Sequence, residues 1–268
     1  MRPRPFLKWP GGKRLIAHEI VAAFPRTFRR YYEPFLGGGA VFFLLAPRSS
    51  LLADINKDLI NTYECVRAAP EEIIARLKRL SIGKEQFYRI RRSNPTTPLL
   101  RAVRFLYLNR TAFNGIYRVN QSGQFNVPFG CKPGTVLCDS EAIRSASQIL
   151  SHTTLQARDF EATLTAAGTD DLIYADPPYT TVHDNNGFRR YNESIFSWSD
   201  QVRLAGAVRA AVLRGATAVV SNAHHADLRE LYRGFRTASL TRASCIAGES
   251  RFRRPVEEHI FLSQDAIR

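Results

Sequence analysis

Apolar residues along this chain come in short bursts, punctuated by glycines and polar pairs. Arg14 to Phe24 is amphipathic with helical spacing, and Tyr31-Tyr-Glu-Pro-Phe-Leu36 is a short strand-like run. Gly37-Gly-Gly39 follows, and Ala40 to Ala46 reads as a buried helix. Ser50-Leu-Leu-Ala53 predicts a second strand ending at Asp54. This order of strand, glycine loop, helix, strand and acid opens a nucleotide-type α/β unit. Residues 59–110 read as helical, with apolar positions at Ile73, Ile74, Leu77 and Leu80 and a buried helix over Leu99 to Leu108. Asn109 to Gly130 is rich in Asn, Gly, Phe and Arg, and Asn120-Gln-Ser-Gly123 predicts a turn between two strand-like arms. After residue 150 the α/β pattern returns. Leu172-Ile-Tyr-Ala175 predicts a strand ending at Asp176, Gln201 to Leu213 a helix, and Ala216 to Ser221 and Val256 to Leu262 further strands. The pattern predicts an α/β domain made of residues 1–58 and 150–268, interrupted by a mostly helical insertion over 59–149.

Composition narrows the class. With 268 residues, 44% hydrophobic and 11% aromatic, the chain buries a sizeable core and is not a disordered polymer. Its longest apolar run, Ala40 to Ala46, is far short of a membrane span. Arg2 and Arg4 follow Met1 with no apolar segment behind them, so a cytoplasmic protein is expected. The four cysteines, Cys65, Cys131, Cys138 and Cys245, form no CxxC pair and no disulfide framework. His224-His225 lacks further ligands, so no metal is expected. No Gly-x-Ser-x-Gly elbow marks a serine hydrolase.

The net charge of +14, from 38 Lys and Arg against 24 Asp and Glu, changes the picture. Residues 1–58 carry +6, residues 59–149 carry +8 and residues 150–268 are neutral. An excess concentrated in the insertion points to a polyanion, with nucleic acid the usual one.

Two motifs carry candidate chemistry. Asp176-Pro-Pro-Tyr179 directly follows an apolar strand, and two prolines force a rigid exit loop. That loop sets a carboxylate, a backbone carbonyl and an aromatic face at the strand edge where α/β folds bind ligands. Two neighbouring acceptors suit both hydrogens of an exocyclic amino group, and the ring suits stacking on a base. A ligand-free Asp-Pro turn has the same spelling, but placement after the strand favours chemistry. The second motif is Glu33-Pro-Phe-Leu-Gly37-Gly-Gly39, with Asp54 ending the next strand. Glycines let a ligand approach the backbone, and such an acid is the usual partner of a ribose diol. The spacing is not Gly-x-Gly-x-x-Gly, so it suits a smaller nucleoside such as S-adenosylmethionine.

With these motifs in place, the chain resembles the Dam-type (alpha-group) DNA adenine-N6 methyltransferases over nearly its full length. The matching stretches are Phe6-Leu-Lys-Trp-Pro-Gly-Gly-Lys13, Tyr32-Glu-Pro-Phe-Leu-Gly-Gly-Gly-Ala-Val-Phe-Phe43, Ala53-Asp-Ile-Asn56, Asn114-Gly-Ile-Tyr-Arg118, Gly123-Gln-Phe-Asn-Val-Pro-Phe-Gly130 and Asp176-Pro-Pro-Tyr179, in the family's order. Pro10 departs from the small residue expected there. The resemblance implies a Rossmann-like methyltransferase sheet with an inserted, mostly helical DNA-recognition domain carrying a β-hairpin near 118–129. It implies S-adenosyl-L-methionine as cofactor, duplex DNA as partner and a monomer in solution.

The resemblance also implies roles. Asp176, Pro177, Pro178 and Tyr179 would be catalytic. Trp9, Lys13, Asp54 and Asp176 would hold the donor with Phe35, Gly37 and Gly39, with Glu33 near its amino group and Asp159 and Phe160 near its adenine. Lys8 would reach DNA, as would Arg118, Asn120, Gln121, Ser122, Gln124, Asn126 and Pro128 of the hairpin; such turn residues vary with the site read, and GATC is the suggested site. The expected reaction is direct methyl transfer to N6 of a flipped adenine. The polar stretch Thr180 to Asn192 is a candidate lid. Methylation of RNA or a protein amide is the alternative within the chemistry, and a catalytically silent DNA-binding regulator the alternative outside it. The intact Asp176-Pro-Pro-Tyr179 argues against the regulator.

Overall fold

A computed structural model describes residues 4–120, 122–131, 134–179, 196–243 and 255–263. Gln121, Cys245 and the lid stretch from Thr180 to Asn192 lie outside them. Among the described residues seven strands form one sheet. β1 (Tyr31–Glu33), β2 (Ser50–Asp54), β3 (Thr153–Ala157), β4 (Leu172–Ala175) and β5 (Thr217–Ala223) are parallel. β7 (Pro255–Leu262) runs antiparallel to β5, and β6 (Arg236–Ala243) antiparallel to β7, so the order across the sheet is β3-β2-β1-β4-β5-β7-β6. This is the Rossmann-like sheet expected from the sequence, with β7 inserted antiparallel between β5 and the edge strand β6.

Strand periodicity assigns each face. Leu52, Leu172, Tyr174, Val219, Ile260 and Leu262 join one apolar cluster, while Leu51, Ala53, Ile173, Val220 and Phe261 join the other. Both faces are therefore covered, as a parallel sheet requires. The first cluster continues through the helices between β2 and β3: Lys57–Ala68, Pro70–Lys78, Lys84–Arg92, Pro98–Thr111 and Ser140–Leu150. Leu59, Ile73, Leu77, Leu106 and Leu150 are all buried in it. The helical insertion thus shares its core with that sheet face.

The strand order reverses between β1 and β4, so a crevice opens at their carboxyl ends. Antiparallel β7 brings its first residues to this same edge: Glu258 pairs with Ala223, the last residue of β5. β1 stops at Glu33, because Pro34 has no N–H to continue the ladder. The two strands invisible in the sequence pattern, β3 and β6, are the sheet edges. Edge strands keep polar residues, and both carry Thr or Arg where inner strands carry Leu or Val.

Candidate active site

A cleft of about 1430 Å³ opens at the switch point. Its walls include Trp9, Lys13, Glu33, Phe35, Gly37, Gly39, Asp54, Asp159 and Phe160 together with Asp176, Pro177, Pro178 and Tyr179. All predicted donor and catalytic residues thus share one cavity, although the chain delivers them from five separate stretches.

The glycine loop is held from both sides. Gly37 N–H donates to Asp54 Oδ2 at 3.0 Å, and Asn56 N–H donates to Oδ1 at 3.0 Å. The Tyr63 hydroxyl donates to the Gly37 carbonyl at 3.0 Å. Gly37 has φ +46, and a Cβ built there would lie 2.7 Å from Trp9 Cδ1. The indole and the loop are therefore packed tightly enough to require glycine. On its other side Trp9 stacks at 6.1 Å on Tyr117 and 6.4 Å on Phe105. Phe35 and Phe160 stack at 5.4 Å with Phe196 edge-on, making an aromatic wall. Asp159 caps the short helix Phe160–Leu164 through Glu161 N–H and pairs with Arg203, which lies 4.8 Å over the Phe160 ring.

Buried carboxyls dominate the electrostatics. Burial pushes Glu33 well above the ordinary carboxyl range, against the hydrogen bond it accepts from Tyr31 at 2.9 Å. Burial also pushes Asp54 up, against its backbone donors. Asp176 is raised first by burial and then by Glu258, while Lys13 and Ser221 pull it down. The Lys13 ammonium lies 2.7 Å from Asp176 Oδ1, 3.6 Å from Glu258 Oε2 and 4.7 Å from the centre of the Tyr179 ring, and donates to the Gly11 carbonyl at 3.0 Å. The Ser221 hydroxyl donates to the same Asp176 oxygen at 3.0 Å. Ser221 has one proton to give, so its 2.8 Å contact with Tyr174 has the tyrosine as donor. Gln201 Nε2 donates to the Pro178 carbonyl at 3.3 Å and fixes the loop from above.

This arrangement fits a nucleoside bearing a positive group. The acids at Glu33 and Asp54 suit ammonium and hydroxyl donors, the aromatic wall suits a planar base, and the glycine cradle admits close approach. Among the described residues no group of three His, Cys, Asp or Glu side chains could hold a metal ion. No helix is long and apolar enough to cross a membrane, among the same residues.

The candidate recognition residues divide. Arg118, Asn120 and Asn126 line the cleft. Lys8, Ser122, Gln124 and Pro128 do not, and Gln121 lies outside the described residues. The hairpin closes through two isolated antiparallel bridges, Ala112 to Phe129 and Val119 to Phe125, rather than a continuous ladder. Phe125 and Val127 turn inward to the core, and Pro128 has no N–H to offer. Polar side chains expected to face bases partly hold the loop itself. Asn120 Oδ1 accepts from the N–H groups of Ser122 and Gln124, and Arg118 Nε donates to Asn126 Oδ1 at 2.8 Å. Lys8 is anchored by its backbone, which exchanges two hydrogen bonds with the buried Asn109 amide.

Sequence reasoning missed Ser221, Tyr174 and Glu258. Glu258 had a signal: it is in phase with Ile260 and Leu262 on the core-facing side of β7. An acid at an inward position of a buried strand is costly unless it is paired. Ser221 and Tyr174 had none, since small or aromatic residues on inner strands are ordinary core.

Comparison with known proteins is consistent with this geometry. Residues 9–244 match the family described as D12 class N6 adenine-specific DNA methyltransferase. A Type II methyltransferase of Lactococcus lactis subsp. cremoris is 36% identical over 242 residues, covering 87% of this chain and 85% of that protein. A DNA adenine methylase of Vibrio cholerae is 33% identical over 268 residues, covering 97% and 96%. A Type II methyltransferase of Methanocaldococcus jannaschii is 33% identical over 259 residues, covering 88% and 90%.

Proposed function

We propose a mechanism from one premise: the chain belongs to the D12 class of N6 adenine-specific DNA methyltransferases. It is a DNA adenine methyltransferase, and S-adenosyl-L-methionine supplies an electrophilic methyl group when bound. The proposal is that the target adenine leaves the duplex and enters the cleft at Asp176-Pro-Pro-Tyr179, since N6 is out of reach inside the stack.

The observation that carries this reading is how Asp176 is held. Among the described residues, both of its hydrogen-bonding contacts, Lys13 and Ser221, fall on Oδ1. Oδ2 is then the acceptor for one amino hydrogen of adenine, and the Pro177 carbonyl is the acceptor for the other. Two acceptors pulling on the amino hydrogens draw N6 from planar toward pyramidal, so its lone pair leaves conjugation and points toward the methyl group. The proton that N6 gives up on accepting that group passes to Asp176 Oδ2. Tyr179 gives one ring face to Lys13 and stacks the adenine on the other. Asp54 and Glu33 take the donor's hydroxyl and ammonium groups, and the wall of Phe35 and Phe160 takes its base. Trp9 and Gly37 fix the loop between them. Alignment of donor and acceptor contributes about 7–11 kcal/mol to the rate. No covalent enzyme intermediate is required. The +8 of residues 59–149 grips the phosphates, and the loop around Arg118 and Asn120 reads the site, with GATC the sequence proposed.

The test is incubation with labelled donor and plasmid DNA, followed by mapping of modified adenines. Label in N6-methyladenine at GATC is expected. Label at another sequence refutes the proposed site. Asp176→Asn should still bind donor but lose transfer, because an amide offers one acceptor oxygen and an opposing NH2. Normal turnover by that variant would refute the assignment of Asp176.

A further inference from the structure

The sheet carries one fully buried acid that the mechanism above leaves unused. Glu258 sits near the start of β7 with no solvent exposure of its side chain. Its neighbours in the sheet are Ala223 of β5 and Leu240 of β6. A carboxyl on an inward strand position costs several kcal/mol unless a cation or hydrogen bonds answer it. Among the described residues a cation that answers it is Lys13, whose side chain is 3% exposed and whose ammonium lies 3.6 Å from Glu258 Oε2. That ammonium also touches Asp176 Oδ1 at 2.7 Å, so one cation from the start of the chain is shared between two carboxyls 82 residues apart in its second half. Tyr179, the stacking ring of the same loop, also interacts with Glu258.

We propose that Glu258 is a positioning residue for methyl transfer: it draws the Lys13 ammonium across the face of Tyr179 and so fixes the direction from which Lys13 meets Asp176. The proposal rests on Asp176 being the acceptor for the adenine amino group. The Lys13–Asp176 contact is at full hydrogen-bond distance, 2.7 Å, and the Gly11 carbonyl takes another ammonium proton at 3.0 Å. Glu258, 3.6 Å from the same ammonium, adds the third restraint that keeps it from sliding to the other carboxylate oxygen and leaves Oδ2 available. Glu258 acts through Lys13 and does not touch the substrate.

Every titratable or polar group facing Asp176 bears on the test. Among the described residues these are Lys13 from the first loop, Glu33 and Tyr31 from β1, Tyr174 from β4, Ser221 from β5, Tyr179 from its own loop, and Glu258. Glu258 is an anion, so it favours the protonated form of Asp176. Its neutral isostere should do the reverse.

The experiment uses the full chain with Glu258→Gln and Glu258→Asp. The first readout is carboxyl 13C NMR titration of Asp176, which needs neither donor nor turnover. In Glu258→Gln the Asp176 titration should move to lower pH, and in Glu258→Asp, which keeps the anion, it should not move to lower pH. The second readout is single-turnover methyl transfer on duplex DNA. Both variants should lose about tenfold or more in rate, with KM for donor and DNA within about threefold of wild type. Glu258→Asp loses rate because its acid, one methylene shorter, cannot hold Lys13 in the same place. An unmoved titration in Glu258→Gln overturns the proposal, as does a wild-type rate in either variant. Should Glu258→Gln fail to fold, a normal rate in Glu258→Asp still overturns it. A wild-type enzyme that transfers no methyl group to adenine overturns the reading of the site instead, and the titration then judges Glu258 alone.

Discussion

Gly37→Ala tests the packing of the donor loop in a way that can be worked from the structure. At φ +46 an alanine pays the left-handed penalty of about 1–2 kcal/mol. Its Cβ would also lie 2.7 Å from Cδ1 and 2.8 Å from Nε1 of Trp9, closer than real side chains approach. The indole must give way, yet it is stacked on Tyr117 and Phe105. Aromatic pairs are worth about 0.5–1.5 kcal/mol each, so losing both adds about 1–3 kcal/mol. The expected destabilisation is about 2–5 kcal/mol. Gly234→Ala supplies the reference, since Gly234 has φ +91 and no atom within 4 Å of its added Cβ. Urea denaturation of both variants isolates the contact as the difference between them. Trp9 fluorescence, read in a Trp198→Phe background, reports the displaced indole, and calorimetry should show weakened donor binding. Equal losses in the two variants, with the Trp9 emission unmoved, would refute the claim that the indole and the loop are locked together.

Ser221→Ala removes a hydrogen bond to a charged group worth about 1.5–3 kcal/mol. The rate of transfer should fall about ten- to hundredfold with donor affinity unchanged. Loss of that donor also raises the Asp176 titration, so the acid limb of the rate–pH profile should move up, opposite to Glu258→Gln; a limb that moves down would contradict the hydrogen bond. Glu33 titrates well above its ordinary 4.5, so its contribution to stability is full below that value and is lost as pH rises through the folded value. Glu33→Gln should therefore raise the urea midpoint at alkaline pH and flatten its pH dependence, and a midpoint below wild type there would count against burial as the cause. Arg118→Ala should lower discrimination between cognate and one-base-altered duplexes by about 1–3 kcal/mol in competition binding, whereas equal losses for all duplexes would mean that Arg118 contacts only phosphate.

Much of the architecture was legible in periodicity. The inner strands β2, β4, β5 and β7 announce themselves as apolar bursts, and the acids at 54 and 176 stand where those bursts end. The edge strands did not, because Thr153–Ala157 and Arg236–Ala243 each keep one side polar and so lack a burst. For the site, spacing marked the glycine loop and Asp176-Pro-Pro-Tyr179, and resemblance supplied Trp9 and Lys13. What one dimension cannot carry is which oxygen of Asp176 is engaged, or that Asn120 folds its amide oxygen onto its own turn. Those facts depend on which neighbours arrive through space. The Trp9–Tyr117 stack is of the same kind: it joins the donor loop to the recognition loop, and neither residue type signals the partnership.

The antiparallel entry of β7 has a consequence in time. A ribosome makes Lys13 early and Glu258 late, 245 residues apart (258 − 13). At roughly 5–20 residues per second, about 12 to 49 s separate them. Asp176 follows Lys13 by 163 residues and precedes Glu258 by 82, so for about 4 to 16 s of synthesis at that rate both members of the Lys13–Asp176 pair exist without the carboxyl that shares the ammonium. The three-charge cluster closes only when one of the last strands joins the sheet.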